Sequence, residues 1–87
     1  MTLYTVEFTT AAAREVRKLD PHIRRRILSA ITALQTDPRP AGVKKLSGYD
    51  DAWRIRIGDY RALYEIVDDT VLVTVFRVAH RRDVYQG

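Results

Sequence analysis

The stretch Trp53-Arg54-Ile55-Arg56-Ile57-Gly58-Asp59-Tyr60-Arg61-Ala62-Leu63-Tyr64-Glu65-Ile66-Val67 decides the fold. Two runs rich in β-branched and aromatic residues flank Gly58-Asp59, a glycine-first pair of the kind that closes a two-residue β-hairpin. A loop of that length fixes the register: Ile57 opposite Tyr60, Arg56 opposite Arg61, Ile55 opposite Ala62, and Trp53 opposite Tyr64. Side chains alternate between faces along a strand. Trp53, Ile55, Ile57, Tyr60, Ala62 and Tyr64 therefore share an apolar face suited to docking on helices. Arg54, Arg56 and Arg61 project from the other.

Downstream, Asp68-Asp69, with or without Thr70, turns the chain into a third strand at Val71–Ala79. Upstream, Arg39–Asp51 contains Pro40, Gly42 and Gly48 and reads as a loop inside the domain. The segment before it carries Ile23, Ile27, Leu28, Ile31 and Leu34 at helical spacing, with Arg24, Arg25 and Arg26 mostly facing away. Asp20 is placed as N-cap and Pro21 at the first helical position, and Asp37-Pro38 ends the helix. A shorter helix, about Ala11 to Leu19, is capped by Thr9 or Thr10 and turns Ala12, Val16 and Leu19 to one side. Leu3–Phe8 is rich in β-formers and predicts a first strand. The order is β-α-α-β-β-β. The expected fold is α+β, one domain over residues 1–87, with a two-helix hairpin packed on one face of a four-stranded, largely antiparallel sheet.

Composition narrows the function classes. The net charge is +4 and the pI about 9.8, which favours acidic partners such as nucleic acid, an anionic membrane or an acidic protein. Lysine occurs only at Lys18, Lys44 and Lys45, so 12 of the 15 basic residues (15 − 3) are arginine. Arginine's planar fork suits phosphate and holds its charge when partly buried, although a GC-rich genome would also enrich it. There is no cysteine, hence no disulfide, thiolate metal site or cysteine nucleophile. No basic-then-apolar leader opens the chain, and no apolar run approaches the roughly 20 residues of a membrane span. A cytoplasmic protein without metal or small-molecule cofactor is expected.

Arg56 opposite Arg61, with Arg54 beside them, is a like-charge conflict that folding does not need. Such conflicts are expected at functional sites. An anion resolves this one, and phosphate fits three converging guanidinium groups. A solvated polar face, with arginine stems lying over apolar neighbours, would account for the spacing alone. The C-terminal His80-Arg81-Arg82-Asp83-Val84-Tyr85 adds an imidazole, two guanidinium groups and a phenol. These are the parts needed to cut RNA without a metal: a base for the ribose 2′-OH, cations for the phosphorane, and a donor for the leaving 5′-oxygen. Arg82, Lys44 and Lys45 are further candidates for phosphate contacts.

The runs Trp-Arg-Ile-Arg-Ile at 53–57, Gly-Asp-Tyr-Arg-Ala-Leu-Tyr-Glu-Ile at 58–66 and His-Arg-Arg-Asp-Val-Tyr at 80–85 resemble the RelE branch of the RelE/ParE toxin superfamily. The resemblance covers nearly the whole chain. It implies the toxin of a bacterial type II toxin–antitoxin system, a metal-independent endoribonuclease that cleaves mRNA in the ribosomal A site and leaves a 2′,3′-cyclic phosphate and a 5′-hydroxyl. By that resemblance Arg54, Arg56 and Arg61 hold phosphate, Arg81 supports the transition state or leaving group, and Tyr85 is the candidate general base. The partners implied are the ribosome, mRNA and a cognate RelB-like antitoxin that wraps the basic groove. Where the best-studied RelE toxin carries lysines this chain has Arg54 and Arg56, which cannot surrender a proton. The base is then Tyr85 or His80, whose ordinary pKa is about 6.5. Two other readings fit the same residues: a ParE-like toxin that inhibits DNA gyrase without cutting RNA, and a non-catalytic RNA- or ribosome-binding module.

Overall fold

The hairpin forms in the expected register, with Ile57 opposite Tyr60, Arg56 opposite Arg61 and Trp53 opposite Tyr64. Gly58 sits at φ +60°, a backbone state that side chains with a Cβ adopt at a cost. The structure, a computed structural model, describes residues 3–83. Its elements are β1 (Thr5–Phe8), α1 (Thr10–Arg17), α2 (Pro21–Thr32), β2 (Lys44–Lys45), β3 (Ala52–Ile57), β4 (Tyr60–Val67) and β5 (Leu72–His80), with short 3-10 turns at Ala33–Gln35, Asp68–Thr70 and Arg81–Asp83.

The sheet has five strands, in the order β1-β5-β4-β3-β2, rather than the four expected. The additional strand is β2, two residues of the presumed loop that pair antiparallel with β3, Lys44 opposite Arg54 and Lys45 opposite Trp53. A pair of lysines carries no apolar alternation for sequence reading to find, and charged residues suit a short outer strand because they discourage further pairing. β1 joins β5 in parallel; β3, β4 and β5 are antiparallel.

Both helices lie on one face. Ala12 and Val16 of α1, Ile27 and Ile31 of α2, and Leu34 pack with Ala62, Tyr64, Ile66, Val73, Val75 and Val78 of the sheet. Burial drives this arrangement, each large side chain contributing about 1.5–3 kcal/mol. The Tyr64 hydroxyl, fully buried, donates to the Pro38 carbonyl at 2.8 Å and ties the post-helical loop to the sheet. Burial pushes its pKa up to about 12. Arg39 clamps the same end of the sheet: its Nη2 lies 2.6 Å from Asp51 and 2.9 Å from Asp68, and its guanidinium lies over the Trp53 ring at 5.8 Å.

The helix ends differ in detail from expectation. Thr9 caps α1, its Oγ1 accepting from Ala12 N at 3.1 Å. Asp20 holds the N-cap position of α2, but its side chain makes no capping bond. α2 stops at Thr32 and tightens into the 3-10 turn before Asp37. Arg24 does not simply face away: it donates to the carbonyls of Val16, Arg17 and Leu19, satisfying the open end of α1 where a glycine C-cap is often found.

Ile27 is 1% exposed at the helix–sheet contact. Ile27→Ala should therefore destabilise the domain by roughly 2–5 kcal/mol, a cost that can unfold a chain of this size. Urea denaturation followed by circular dichroism measures it, and an unchanged midpoint would contradict this packing.

Candidate nucleic-acid interface

The sheet face away from the helices carries the arginines. Lys44, Arg54, Arg56 and Arg61, with Gly42, line a depression of about 170 Å³. β3 and β4 place Arg54, Arg56 and Arg61 by strand alternation, and β2 adds Lys44 because it pairs with Arg54 and so points the same way. Arg81 follows β5 in a 3-10 turn. Its backbone N–H donates to the Asp59 carbonyl at 2.7 Å, and its Nε lies 4.0 Å from Asp59 Oδ1.

Arg61 is the centre of this group. Its Nη1 is buried and has no hydrogen-bond partner among the described residues. Burial, then the charges of Arg56, Arg54 and Arg81, pull its pKa below the ordinary guanidinium value, with only Asp59 acting the other way. A guanidinium does not deprotonate in a protein, so the shift registers an unmet demand for negative charge. The contrast with Arg39 is direct, since two carboxylates raise its pKa. Among the described residues none of Arg54, Arg56 and Arg61 forms an ion pair, whereas Arg39 and Arg77 do.

The remaining sequence candidates lie elsewhere or outside the description. Lys45 pairs with Trp53 and so points toward the helix-bearing side. His80 pairs with Tyr60, and its ring meets that of Tyr60 edge-on at 5.3 Å. Tyr60 packs against the core, so His80 also belongs to the helix side. There it lines a depression of about 590 Å³ between α1 and β5 together with Glu15, Arg77 and Arg82. Arg82 N donates to His80 Nδ1 at 3.3 Å. Tyr85 lies outside the described residues. The structure thus brings together Lys44, Arg54, Arg56, Arg61 and Arg81, and sets Lys45, His80 and Arg82 apart from them.

Sequence reading missed Glu15. One carboxylate oxygen accepts from Val78 N at 2.7 Å and the other from Arg77 Nε at 3.1 Å, covering β5 where β1 no longer pairs with it. Nothing in a single helix reveals such a contact across 63 residues of sequence. No group of three or more His, Asp or Glu is placed to hold a metal among the described residues. No helix there is long and apolar enough to cross a membrane.

Residues 6–85 match the sequence model of the ParE toxin of type II toxin–antitoxin systems, parDE. Toxin RelG of Mycobacterium tuberculosis is 37% identical over 95% of this chain and 97% of its own length. The mRNA interferase toxin RelE of Escherichia coli is 30% identical over 90% of this chain and 83% of its own length. Among solved structures, the archaeal RelE–RelB complex from Pyrococcus horikoshii superposes with a TM-score of 0.81 at 27% identity, covering 97% of this chain and 100% of that one.

Since the arginine cluster repels itself, Arg61→Ala should leave the melting temperature unchanged or raise it at low ionic strength. Added salt should then stabilise the wild-type protein more than the variant, because screening relieves only the intact cluster. Thermal melts across a salt series test this. A fall of more than about 4 °C, near 1 kcal/mol for a domain of this size, would make Arg61 a structural residue.

Proposed function

This chain belongs to the ParE toxin family of type II toxin–antitoxin systems, and from that premise we propose that it is a RelE-type toxin that cleaves mRNA in the ribosomal A site. The family description is that of ParE, but the named relatives are RelE and RelG toxins, one of them called an mRNA interferase. They carry the reading toward RNA and away from gyrase. Several solved neighbours are complexes of RelE with RelB, so a cognate RelB-like antitoxin is the partner. The single observation that carries the site is the buried Nη1 of Arg61, without a hydrogen-bond partner among the described residues and in a ring of positive charge.

The chemistry follows from which groups can move a proton. The scissile phosphate occupies the depression, its oxygens accepting hydrogen bonds from Arg54, Arg56 and Arg61, with Lys44 adding charge at the rim. The ribose 2′-oxygen attacks the adjacent phosphorus as its proton leaves. Charge grows on the phosphorane oxygens, and fixed guanidinium groups stabilise it without reorganising. The bond to the 5′-oxygen breaks with its electron pair on that oxygen, which takes a proton from water, leaving a 2′,3′-cyclic phosphate and a 5′-hydroxyl. Arg81, on the hairpin side of the site, supports the leaving group. Guanidinium groups supply all the positive charge this step requires, so it proceeds without a metal.

A base remains to be assigned, and arginine cannot serve. His80 stands on the helix side, held by Tyr60 and by the N–H of Arg82. That position supports Tyr85, two residues beyond Asp83, as the group that takes the proton. Brought to the arginine cluster, a phenol would have its phenolate favoured by those charges.

Single-turnover cleavage on programmed ribosomes tests this, with binding measured separately. Tyr85→Phe should lower the cleavage rate at least ~100-fold, the lower end of a general-base contribution, with ribosome binding nearly unchanged. Arg81→Ala should slow cleavage as well, whereas His80→Gln should stay within a fewfold of wild type. The reverse pattern, with a wild-type rate rising through the imidazole range, would move the base to His80. Full activity in both the Tyr85→Phe and His80→Gln proteins would sink the chemistry.

A further inference from the structure

Tyr49 lies on the same face as the arginines but takes no part in the phosphate site. Its ring stacks on that of Phe76, with centroids 5.7 Å apart and planes 25° from parallel. Phe76 owes its position to a bulge in β5. The β4–β5 register runs Leu63 opposite Arg77 and then Tyr64 opposite Val75, leaving Phe76 as the extra residue. Val75 and Val78 on either side are buried under the helices. Phe76 is only half-buried and turns to the opposite face. The loop between β2 and β3 brings Tyr49 over it.

Tyr49 is 49% exposed and, among the described residues, is the one aromatic of three exposed large apolar side chains, the others being Leu3 and Val67. One ring face rests on Phe76, and much of the remainder is wet. An aliphatic residue would cover Phe76 equally well, so shielding does not explain a half-exposed phenol. Along the sheet, Phe76 stands one strand over from Arg61 and about three residues from its partner Ala79. At ~4.8 Å across and ~3.3 Å per residue along, that is roughly 11 Å, a span that a ribose and its base can bridge from a phosphate.

We propose that Tyr49, backed by Phe76, is the platform on which a base next to the phosphate held by Arg54, Arg56 and Arg61 stacks. This rests on reading the arginine depression as an RNA phosphate site, and it adds a base subsite to it. The local charge identifies which part of the strand belongs there. Glu65 shares this face one row beyond Leu63, and Asp50 adjoins Tyr49 in the chain. Carboxylates repel a further phosphate, whereas a neutral base with its π-face on an aromatic ring is tolerated. Stacking of this type accepts any base, and its loss costs affinity rather than register.

The test uses the full chain and a trinucleotide RNA carrying 2′-O-methyl groups, which binds but cannot be cut. Its affinity is measured by NMR titration, alongside trinucleotides abasic at each position in turn. Tyr49→Leu keeps Phe76 covered and should melt at the wild-type temperature. It should bind the intact trinucleotide roughly five- to a hundredfold more weakly. For one abasic trinucleotide, wild type and Tyr49→Leu should bind equally, while Tyr49→Phe should behave as wild type throughout. Equal loss on every ligand, no loss on any, or no saturable binding by the wild-type protein would overturn the base subsite. The underlying reading fails separately, if Arg61→Ala leaves trinucleotide binding intact or if programmed ribosomes are not cut.

Discussion

The two-residue turn at Gly58-Asp59 is the constraint from which the rest follows. Once Ile57 must face Tyr60, strand alternation puts Tyr64 and Ala62 in the core and Arg56 against Arg61 on the other side. The register that buries the first pair is the same one that sets the last two side by side. At roughly 6 Å and an effective dielectric of about 20, a pair of like charges costs up to ~3 kcal/mol, and much less where water screens it, as it does for the exposed Arg56. Against this stand Ile27, Ile31, Leu34, Tyr64, Val73, Val75 and Val78, each less than 2% exposed and each contributing about 1.5–3 kcal/mol. The core tolerates the conflict with ease.

Arginine serves two different purposes in this chain, and local geometry separates them. Arg24 fills the open carbonyls of α1, Arg77 is paired with Glu15, and Arg39 joins Asp51, Asp68 and Trp53 at one end of the sheet. Tyr4 adds its hydroxyl to Asp68 at 2.7 Å, and the hydrogen bonds from Arg39 and Tyr4 hold the Asp68 carboxyl below its usual pKa. All of these guanidinium groups have internal partners. Arg54, Arg56 and Arg61 have no carboxylate partner in the described structure. A composition rich in arginine is therefore not one signal. Only the subset that the fold crowds together without a carboxylate, around the buried Nη1 of Arg61, reports on a ligand.

That distinction marks the limit of what the sequence reveals. The hairpin, the helix stripe at Ile23, Ile27 and Ile31, and the arginine face were legible because each rests on a short-range rule, a turn type or a periodicity. β2 was not, since two lysines form a strand only because β3 lies beside them. The same holds for Glu15 on Val78, for Arg24 on the end of α1, and for the bulge that turns Phe76 outward. His80 shows the effect at the site itself. Its neighbours in sequence are Arg81 and Arg82, which made it a partner of the phosphate cluster on paper. Strand alternation sends it to the other face, beside Tyr60. Alternation could have been extended from Tyr60 to predict this, had the β4–β5 register been fixed by a turn as short as Gly58-Asp59. The 3-10 turn at Asp68–Thr70, with Val71 at φ +53°, and the bulge beyond it removed that possibility.

Placing arginines where a lysine would be chemically more versatile also fixes how labour is divided. Guanidinium groups, which cannot release protons, hold their charge at every pH the cell reaches, so in the proposed reading the arginines bind and polarise phosphate and take no part in proton transfer. In that reading proton transfer falls to a group other than the arginines, which can be moved or withheld without disturbing the affinity they supply. Any anion that fills the depression relieves the same repulsion around Arg61, whether it is an RNA phosphate or a carboxylate from a partner protein. The two are then mutually exclusive through electrostatics alone, before any steric overlap is considered. A partner that satisfies Arg61 removes both the binding site and the charge that would stabilise a phosphorane, while leaving the fold no less stable than before.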